Sequence, residues 1–153
     1  MLHALDRTDK SILRILQQDS STPHKQIASK LNKSTSTIST RIKWLNENGY
    51  ISANKATLNR KKLNLEVLGF IHLRLDNNSA PTIEAFKHSL NQIKGVYGCI
   101  NMVGDYHFKV KVATRDTTSF SDIHKIIAGL AHVKESVNYI ELEEVIPDKG
   151  YYF

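Results

Sequence analysis

The sequence predicts an α+β protein in two parts, an N-terminal helix-turn-helix (winged-helix-like) domain and a C-terminal ferredoxin-like β-α-β-β-α-β domain. Helical periodicity dominates the first 51 residues, whereas strand-like and helical segments alternate after residue 67. Charge divides the chain in nearly the same place. Residues 1–62 hold twelve of the 21 Lys and Arg but only four of the 15 acidic residues, a balance of +8 against −2 for the rest.

The first two predicted helices have apolar residues at helical spacing. Residues 5–18 place Leu5, Ile12, Leu13 and Leu16 on one stripe. Residues 23–31 form the second helix, with Pro23 at its first position and Thr22 as its N-cap. Both helices therefore have one side suited to a common core.

A tight turn and a third helix follow. Asn32 tolerates the left-handed backbone of such a turn. Ser34 is then placed to cap a helix that runs to about Asn46, and Gly49 is placed to end it. A short helix, a tight turn and a longer helix match the helix-turn-helix unit.

The second part is predicted from its alternating segment types. Residues 52–66 are polar and basic and are expected to form a short strand and a linker. The boundaries are therefore 1–51, 52–66 and 67–153. Strands are expected at 67–75, 96–103, 106–113 and 137–145, and helices at 80–93 and 119–131. Gly104–Asp105 is a hairpin signal between the middle strands.

The third helix is the predicted DNA-binding element. Ile38, Ile42 and Leu45 fall on one side of it, and hydroxyl and basic side chains occupy the rest. A compact basic segment usually faces a polyanion, and the second helix of such a motif enters the major groove of double-stranded DNA. Hydroxyls serve phosphates and several bases, so we expect modest base specificity. The predicted DNA contacts are Lys25, Lys33, Ser34, Thr35, Ser36, Thr37, Ser39, Thr40, Arg41 and Lys43.

The cysteine count and the distribution of apolar residues predict the cellular compartment. Cys99 is the only cysteine, so no intramolecular disulfide can form, and we expect it to be buried and reduced. No stretch approaches the apolar length of a membrane span, and the first residues do not have the pattern of a signal peptide. We therefore expect a cytoplasmic protein without a membrane partner.

Several motifs, taken in order, resemble the Lrp/AsnC family of transcription regulators, the leucine-responsive and asparagine-responsive type. Residues 5–13 (LDRTDKSIL) are similar to that family's opening helix, and Gly49-Tyr50-Ile51 and Gly104-Asp105-Tyr106 also fit its pattern. Further matching positions are Ile27, Ala28, Leu31, Arg41, Ile42, Leu45, Glu143 and Glu144. The resemblance extends over nearly the whole chain.

The resemblance implies a dimer that assembles further into tetramers or octamers, and an amino-acid effector bound near the loop between the second and third strands. The effector contacts that it implies are Met102, Gly104, Asp105, Tyr106, His107, Asn138 and Tyr139. The chain departs from the family pattern at His107, where a second acid is usual. A histidine supplies no fixed negative charge for an α-ammonium group, so an amino acid, another small molecule and no ligand all remain open.

Two further functions are weighed against a regulator. The hydroxyl-rich third helix also fits an effector-independent DNA-organising protein with little sequence preference. A tetrapyrrole decarboxylase-like enzyme on the same scaffold is the less favoured alternative, because the chain has no paired carboxylates and no nucleophile-base pair. We therefore expect no enzyme activity, no catalytic residues, no cofactor and no metal. The aromatic residues Tyr151, Tyr152 and Phe153 are suited to pack on the chain's own sheet or on a neighbouring subunit, and an oligomer contact is the favoured expectation.

Overall fold

The computed structural model describes residues 4–153, which form two compact units. The first unit, called the head below, contains the residues up to Thr57 together with Ile146–Phe153. The second, called the body, is Leu58–Val145. The division falls inside the predicted linker. The predicted second domain, 67–153, differs from the body because its last eight residues belong to the head.

Three helices build the head around one apolar core. They are α1 (Arg7–Gln18), α2 (His24–Leu31) and α3 (Thr35–Glu47). Each helix contributes fully buried residues at the predicted spacing, so that one cluster joins all three: Ile12, Ile27, Ile38 and Leu45. Asn32 ends α2 in the left-handed conformation, with φ 52°, as the sequence predicts.

The start of α2 differs from the prediction. Pro23 is the N-cap residue of α2, and no side chain caps this helix. Thr22 is buried, and its hydroxyl donates to the carbonyl oxygen of Asp19 at 2.8 Å. The predicted capping by Thr22 is wrong because its hydroxyl is used in the preceding turn.

The predicted short strand within 52–66 is also wrong. The described residues there contain no strand, and their regular element is a 3-10 helix at Lys61–Leu63. The Nη1 atom of Arg60 donates to the carbonyl oxygens of Leu65 at 2.9 Å and Glu66 at 2.8 Å, which closes this turn. An extended segment without a neighbouring strand has no partner for its backbone groups, so it is not a strand in the single chain.

The body contains the predicted β-α-β-β-α-β order, and the ferredoxin-like class is confirmed. Its elements are β1 (Val67–Leu75), α4 (Ala80–Asn91), β2 (Val96–Asn101), β3 (Phe108–Thr114), α5 (Thr117–Ala128) and β4 (Val133–Ile140). The strands form one antiparallel sheet in the order β2-β3-β1-β4. The last strand lies at Val133–Ile140 rather than 137–145, because its pairing with β1 runs from Leu75–Val133 to Gly69–Ile140.

Alternation along β1 and β3 gives the sheet two different faces. One face is buried against α4 and α5, and its core residues are Ile71, Leu73, Leu75, Phe108, Val110 and Val112 with Phe86, Leu90, Phe120 and Ile127. The opposite face, called the open face, is only partly covered within the described chain. It carries Leu68, Phe70, His72, Arg74, Lys109, Lys111, Val137 and Tyr139.

The prediction that Cys99 is buried is wrong. Its side chain is exposed on β2. This strand lies at the edge of the sheet and has a neighbour, β3, on one side. An apolar sequence context does not distinguish an edge strand from a central one, and only the strand order does.

Gly69 is required by the packing of α5 on the sheet. A Cβ atom at this position would overlap the ring of Phe120 and lie 2.6 Å from the carbonyl oxygen of Tyr139. Gly98, on β2, has no such restriction, because its Cβ would meet the Cδ atom of Lys111 at an ordinary 3.5 Å.

We predict that Gly69→Ala lowers the free energy of unfolding by about 1–3 kcal/mol, because the new methyl group overpacks the core. Urea denaturation of the purified protein measures this change. The matched control, Gly98→Ala, should stay within about 0.5 kcal/mol of the wild type. Equal effects of the two substitutions would contradict the packing assigned to Phe120.

Candidate DNA-binding face and effector loop

Helix α3 presents two chemically different sides. Ile38, Ile42 and Leu45 are buried in the head core. The remaining sides are dominated by hydroxyls, and their exposed residues are Thr35, Ser36, Ser39, Thr40, Lys43, Asn46 and Glu47. The helix therefore offers a small, polar, hydroxyl-rich surface with one exposed lysine at the position where a helix-turn-helix motif meets DNA.

The first turn of α3 is organised by Ser34. Its Oγ atom accepts from the backbone N–H of Thr37 at 3.1 Å, as the predicted N-cap. The same oxygen lies 2.9 Å from Oγ of Ser36 and 2.7 Å from Oγ1 of Thr37. Of the predicted DNA contacts, Ser34, Ser36 and Thr37 thus have hydrogen-bond partners within this turn. The uncapped N–H groups of the turn favour anions.

Arg41, a predicted DNA contact, forms an ion pair within the head. Its Nη1 atom donates to Oδ2 of Asp6 at 2.6 Å and to Oδ1 of Asp9 at 2.8 Å. The guanidinium therefore joins the middle of α3 to the first turn of α1. The contact of Arg41 with phosphate or a base stays a prediction, and two carboxylates already compensate its charge.

The acidic partners of Arg41 are held by a reciprocal capping box. The backbone N–H of Asp9 donates to Asp6 at 2.8 Å, and the backbone N–H of Asp6 donates to Asp9 at 3.2 Å. The N–H of Asp9 and the guanidinium of Arg41 together lower the pKa of Asp6. The two carboxylates in turn raise the pKa of Arg41, so this cation stays charged. The Asp6-x-x-Asp9 spacing could have indicated the box from sequence, but not its partner.

The remaining basic candidates are on the surface of the head. Lys25 on α2, Lys33 in the turn and Lys43 on α3 are all exposed. Lys43 lies 3.8 Å from Glu47, a distance that leaves its charge largely available. Trp44 is half-buried and stacks on Tyr50 with ring centroids 5.5 Å apart, so it covers the head core.

The predicted effector loop is a six-residue connection between β2 and β3. The N–H of Met102 donates to the carbonyl oxygen of His107 at 2.7 Å, and the N–H of His107 donates to that of Leu73 at 2.9 Å. Gly104 has φ 147°, a backbone conformation that favours glycine. The base of the loop is therefore fixed on β1, whereas Gly104 and Asp105 are exposed.

His107 is the last residue of this connection and is half-buried. Its Nε2 atom is 3.4 Å from Nδ2 of Asn78, and its Nδ1 atom is buried without a hydrogen-bond partner among the described residues. Tyr106 lies on the open face of the sheet, where its ring centroid is 6.0 Å from that of His72. Its hydroxyl donates to Glu135 at 3.1 Å, and Glu135 also pairs with Arg74. Partial desolvation and the Glu135 contact raise the pKa of Tyr106. The chain offers no local signal for Glu135, which is 29 residues away.

The structure separates the two β4 residues of the predicted effector set. Tyr139 is paired with Phe70 on the open face, and its ring centroid lies 5.0 Å from that of His72. Asn138 is paired with Ile71 on the helix side, where its Nδ2 atom lies 3.0 Å from Nδ1 of His124. Consecutive strand residues point to opposite faces, so these two side chains do not converge within one chain.

Two other structural features are absent from the described residues, 4–153. No group of three or more His, Cys, Asp or Glu residues there is arranged to hold a metal ion. No helix in the same range has the length and apolar character needed to cross a membrane.

Two family models match this chain, one in each of its two predicted domains. One, a winged helix-turn-helix DNA-binding domain, matches residues 5–52. The other, an Lrp/AsnC ligand binding domain, matches residues 68–151, more than half of the chain. The chain belongs to the Lrp/AsnC family. It is a transcriptional regulator with a helix-turn-helix DNA-binding domain and the Lrp/AsnC ligand-binding domain, and the resemblance drawn from sequence is confirmed.

Individual similar proteins show how far the likeness extends. The transcriptional regulator AzlB of Bacillus subtilis is 32% identical over 76% of this chain and 74% of its own length. The AsnC family transcriptional regulator from Agrobacterium tumefaciens has a TM-score of 0.87 at 25% identity, with 97% of both chains covered. A Neisseria meningitidis transcriptional regulator in complex with L-Met has a TM-score of 0.83 at 24% identity, with 94% of both chains covered.

We predict that Arg41→Ala lowers the stability of the head by about 2 kcal/mol at neutral pH, because it leaves the buried Asp9 without its cation. Lys43→Ala on the same helix should change stability by less than about 0.5 kcal/mol, since the Lys43–Glu47 pair is exposed. Denaturant unfolding followed by the fluorescence of Trp44 measures both. Similar losses for the two variants would contradict the structural role of Arg41.

The loss of stability caused by Arg41→Ala should also depend on pH. The pKa of Asp6 is lowered in the folded protein. Its contribution to stability is therefore present above the usual carboxyl pKa and is lost as pH falls through the lowered value. The stability difference between wild type and Arg41→Ala should shrink in that acidic range.

Proposed function

We propose that this Lrp/AsnC regulator binds double-stranded DNA as a homodimer through α3, and that a small molecule bound near the 102–107 loop modulates it. The observation that carries this proposal is the composition of α3. A buried apolar stripe fixes one side of the helix, and the exposed sides hold hydroxyls and Lys43 within the basic part of the chain. Such a surface suits phosphate oxygens and base edges better than an apolar partner.

The proposed contacts follow from exposure and from available hydrogen-bonding groups. The side chains on α3 are expected to enter the major groove of the DNA. The lysines of α2 and of the turn before α3 are expected to contact the DNA backbone. Ser34, Thr37 and Arg41 are proposed to position the helix instead, through the cap and the link to α1. The direct DNA contacts proposed here are Lys25, Lys33, Thr35, Ser36, Ser39, Thr40 and Lys43.

We predict that the double substitution Lys33→Ala/Lys43→Ala weakens DNA binding and makes it less dependent on salt. Each lost phosphate contact should reduce the slope of log K against log salt by about 0.9, so the pair should reduce it by about 2. Fluorescence anisotropy with a labelled duplex at several salt concentrations measures this slope.

The matched control is Lys87→Ala/Lys125→Ala, which removes the same charge from exposed helix positions of the body. It should leave the slope within about 0.5 of the wild-type value. If the wild type binds DNA and the two double variants have equal salt slopes, the proposed DNA-binding face is contradicted.

The open face is the surface proposed for dimerisation. It presents Phe70 and Tyr139, and the Nζ atom of Lys109 covers the Phe70 ring at 3.8 Å. Partial burial and the charge of Lys109 lower the pKa of His72, which favours a neutral ring at neutral pH. A second copy of this face offers the same aromatic residues, as a twofold interface requires. Two heads would then reach two half-sites about one helical turn apart or a multiple of it.

We predict that Phe70→Glu/Tyr139→Glu shifts the protein from dimer or larger assembly toward monomer, because four carboxylates would be buried at a symmetric interface. Light scattering coupled to size-exclusion chromatography measures the mass. Ile126→Glu provides the control, since Ile126 is 54% exposed on the helix layer. An unchanged mass in the folded double variant would contradict this interface.

An amino acid is the proposed effector class. The ligand-binding domain of the family supports it, and a structural relative is a complex with L-Met. The exposed Asp105 offers a carboxylate for an ammonium group, and Gly104 leaves the backbone accessible. Met102, Tyr106 and His107 complete the proposed contacts on this side. Asn138 and Tyr139 lie on opposite faces of one sheet, so at most one of them is proposed to meet the same ligand molecule in one chain.

We predict that at least one amino acid raises the melting temperature. At a ligand concentration of 100 times Kd, the free energy of unfolding rises by about 2.7 kcal/mol, which raises the melting temperature by several degrees. Asp105→Asn should remove this shift of the melting temperature. Val103→Ala should retain it, because the Val103 side chain in the same loop is fully exposed. A shift that persists in Asp105→Asn would place the ligand elsewhere, and no shift for any amino acid would contradict the effector class.

One observation favours a DNA-organising protein as the second candidate. The guanidinium of Arg41, the arginine of α3, is bound to Asp6 and Asp9, so the exposed hydroxyls of α3 provide most of its groups for base recognition. The ratio of specific to nonspecific affinity at one salt concentration distinguishes the two functions. A ratio of at least about 10³ supports the sequence-reading regulator, and a ratio near one supports the organising protein.

A further inference from the structure

The residues that follow β4 end on the first helix of the head. Ile146–Phe153, called the tail below, belongs to the same compact unit as α1, α2 and α3. The sequence predicted an oligomer contact for its aromatic residues. In the structure the tail lies against α1 of its own chain, with Phe153 half-buried and Tyr152 exposed.

A single glutamine holds the tail through both of its polar atoms. The Nε2 atom of Gln17 donates to the carbonyl oxygen of Tyr151 at 2.9 Å. In return the backbone N–H of Tyr151 donates to Oε1 of Gln17 at 2.8 Å. One side-chain amide thereby satisfies the complete backbone polar set of one residue, as a neighbouring strand would. This reciprocal pair is called the Gln17 clasp.

Two further contacts place the tail on the same helix. Arg14, one turn before Gln17, donates to the carbonyl oxygen of Phe153, and its guanidinium lies 5.5 Å from the centre of the Phe153 ring. Tyr151 and Phe153 line an open cavity of about 990 Å³, whose apolar lining includes Leu13 and Leu16 of α1. The tail thus combines backbone, cationic and apolar contacts with one side of α1.

The approach of the tail to α1 depends on Gly150. This residue has φ +76°, and its N–H donates to Oδ1 of Asp148 at 2.8 Å, which turns the chain toward the helix. A Cβ atom at this position would overlap the side-chain amide of Gln17 and lie 2.5 Å from its Cγ atom. Only a glycine combines this backbone conformation with so close an approach.

We propose that the tail is a reversible strap that restrains the head. The head is joined to the body by one covalent connection after α3, and the docked tail, which is continuous with β4, adds a second. A second attachment confines the head to fewer arrangements than a single linker allows. The clasp is also exposed to solvent, so it can open without unfolding either unit. Neither the strap nor its test requires DNA.

The first test asks whether the clasp forms in the full-length protein. Hydrogen exchange followed by mass spectrometry reports on the Tyr151 amide. Gln17→Ala should accelerate its exchange several-fold, because the acceptor Oε1 is removed. Gln18→Ala is the matched control, since Gln18 is the exposed neighbour of the same residue type on α1. Equal exchange in the two variants would overturn the proposal.

The second test asks whether the clasp restrains the head. Spin labels at Ser29→Cys in α2 and Lys87→Cys in α4, in a Cys99→Ser background diluted with unlabelled protein, report the head-to-body distance distribution. Gln17→Ala and Gly150→Val should each widen this distribution at least twofold, while Gln18→Ala should keep the wild-type width. Gln17→Ala acts from the helix side and leaves the tail backbone unaltered. An unchanged width in folded Gln17→Ala would overturn the strap even if the clasp forms.

Discussion

The ion pair between Arg41 and the first turn of α1 is the constraint on which the head depends. Apolar contacts alone hold three short helices together with little directional preference. The guanidinium adds direction, because it meets Asp6 and Asp9 at 2.6 and 2.8 Å and both acids are already fixed by their capping box. Helix α3 is therefore locked in rotation, and its hydroxyls face away from the core. Arg41, which the sequence predicts as a DNA contact, is the residue that links α3 to α1.

The two faces of the sheet in the body have different surroundings. Packing against α4 and α5 uses one face completely, to the point that Gly69 leaves room for Phe120. The open face retains aromatic and cationic groups that a single chain does not cover. The 102–107 loop is anchored to β1 through His107 while Gly104 and Asp105 stay exposed. A rigid base and an accessible tip suit a loop that binds a ligand, because ligand contacts then act on the sheet directly.

Particular residues show how far sequence reasoning extended. The spacing of Ile38, Ile42 and Leu45 predicted the buried side of α3, and Asn32 predicted the left-handed turn before it. The strand at 52–66 was wrong, because a polar segment becomes a strand only beside a partner. Cys99 was predicted to be buried from its neighbours in sequence, although its strand lies at an edge. The DNA and effector contacts remain proposals, and Arg41 and Asn138 have structural partners that no local pattern indicates.

Periodicity, capping residues and charge distribution are local properties, so the sequence by itself determined the helix-turn-helix head, the β-α-β-β-α-β body, the basic half and the family. Ion pairs, strand neighbours and close approaches depend on residues far apart in the chain. Arg41 is 32 residues from Asp9, Tyr106 is 29 from Glu135, and Gln17 is 134 from Tyr151. Only the tertiary structure decided these contacts, because long-range geometry selects one partner among many that the composition allows.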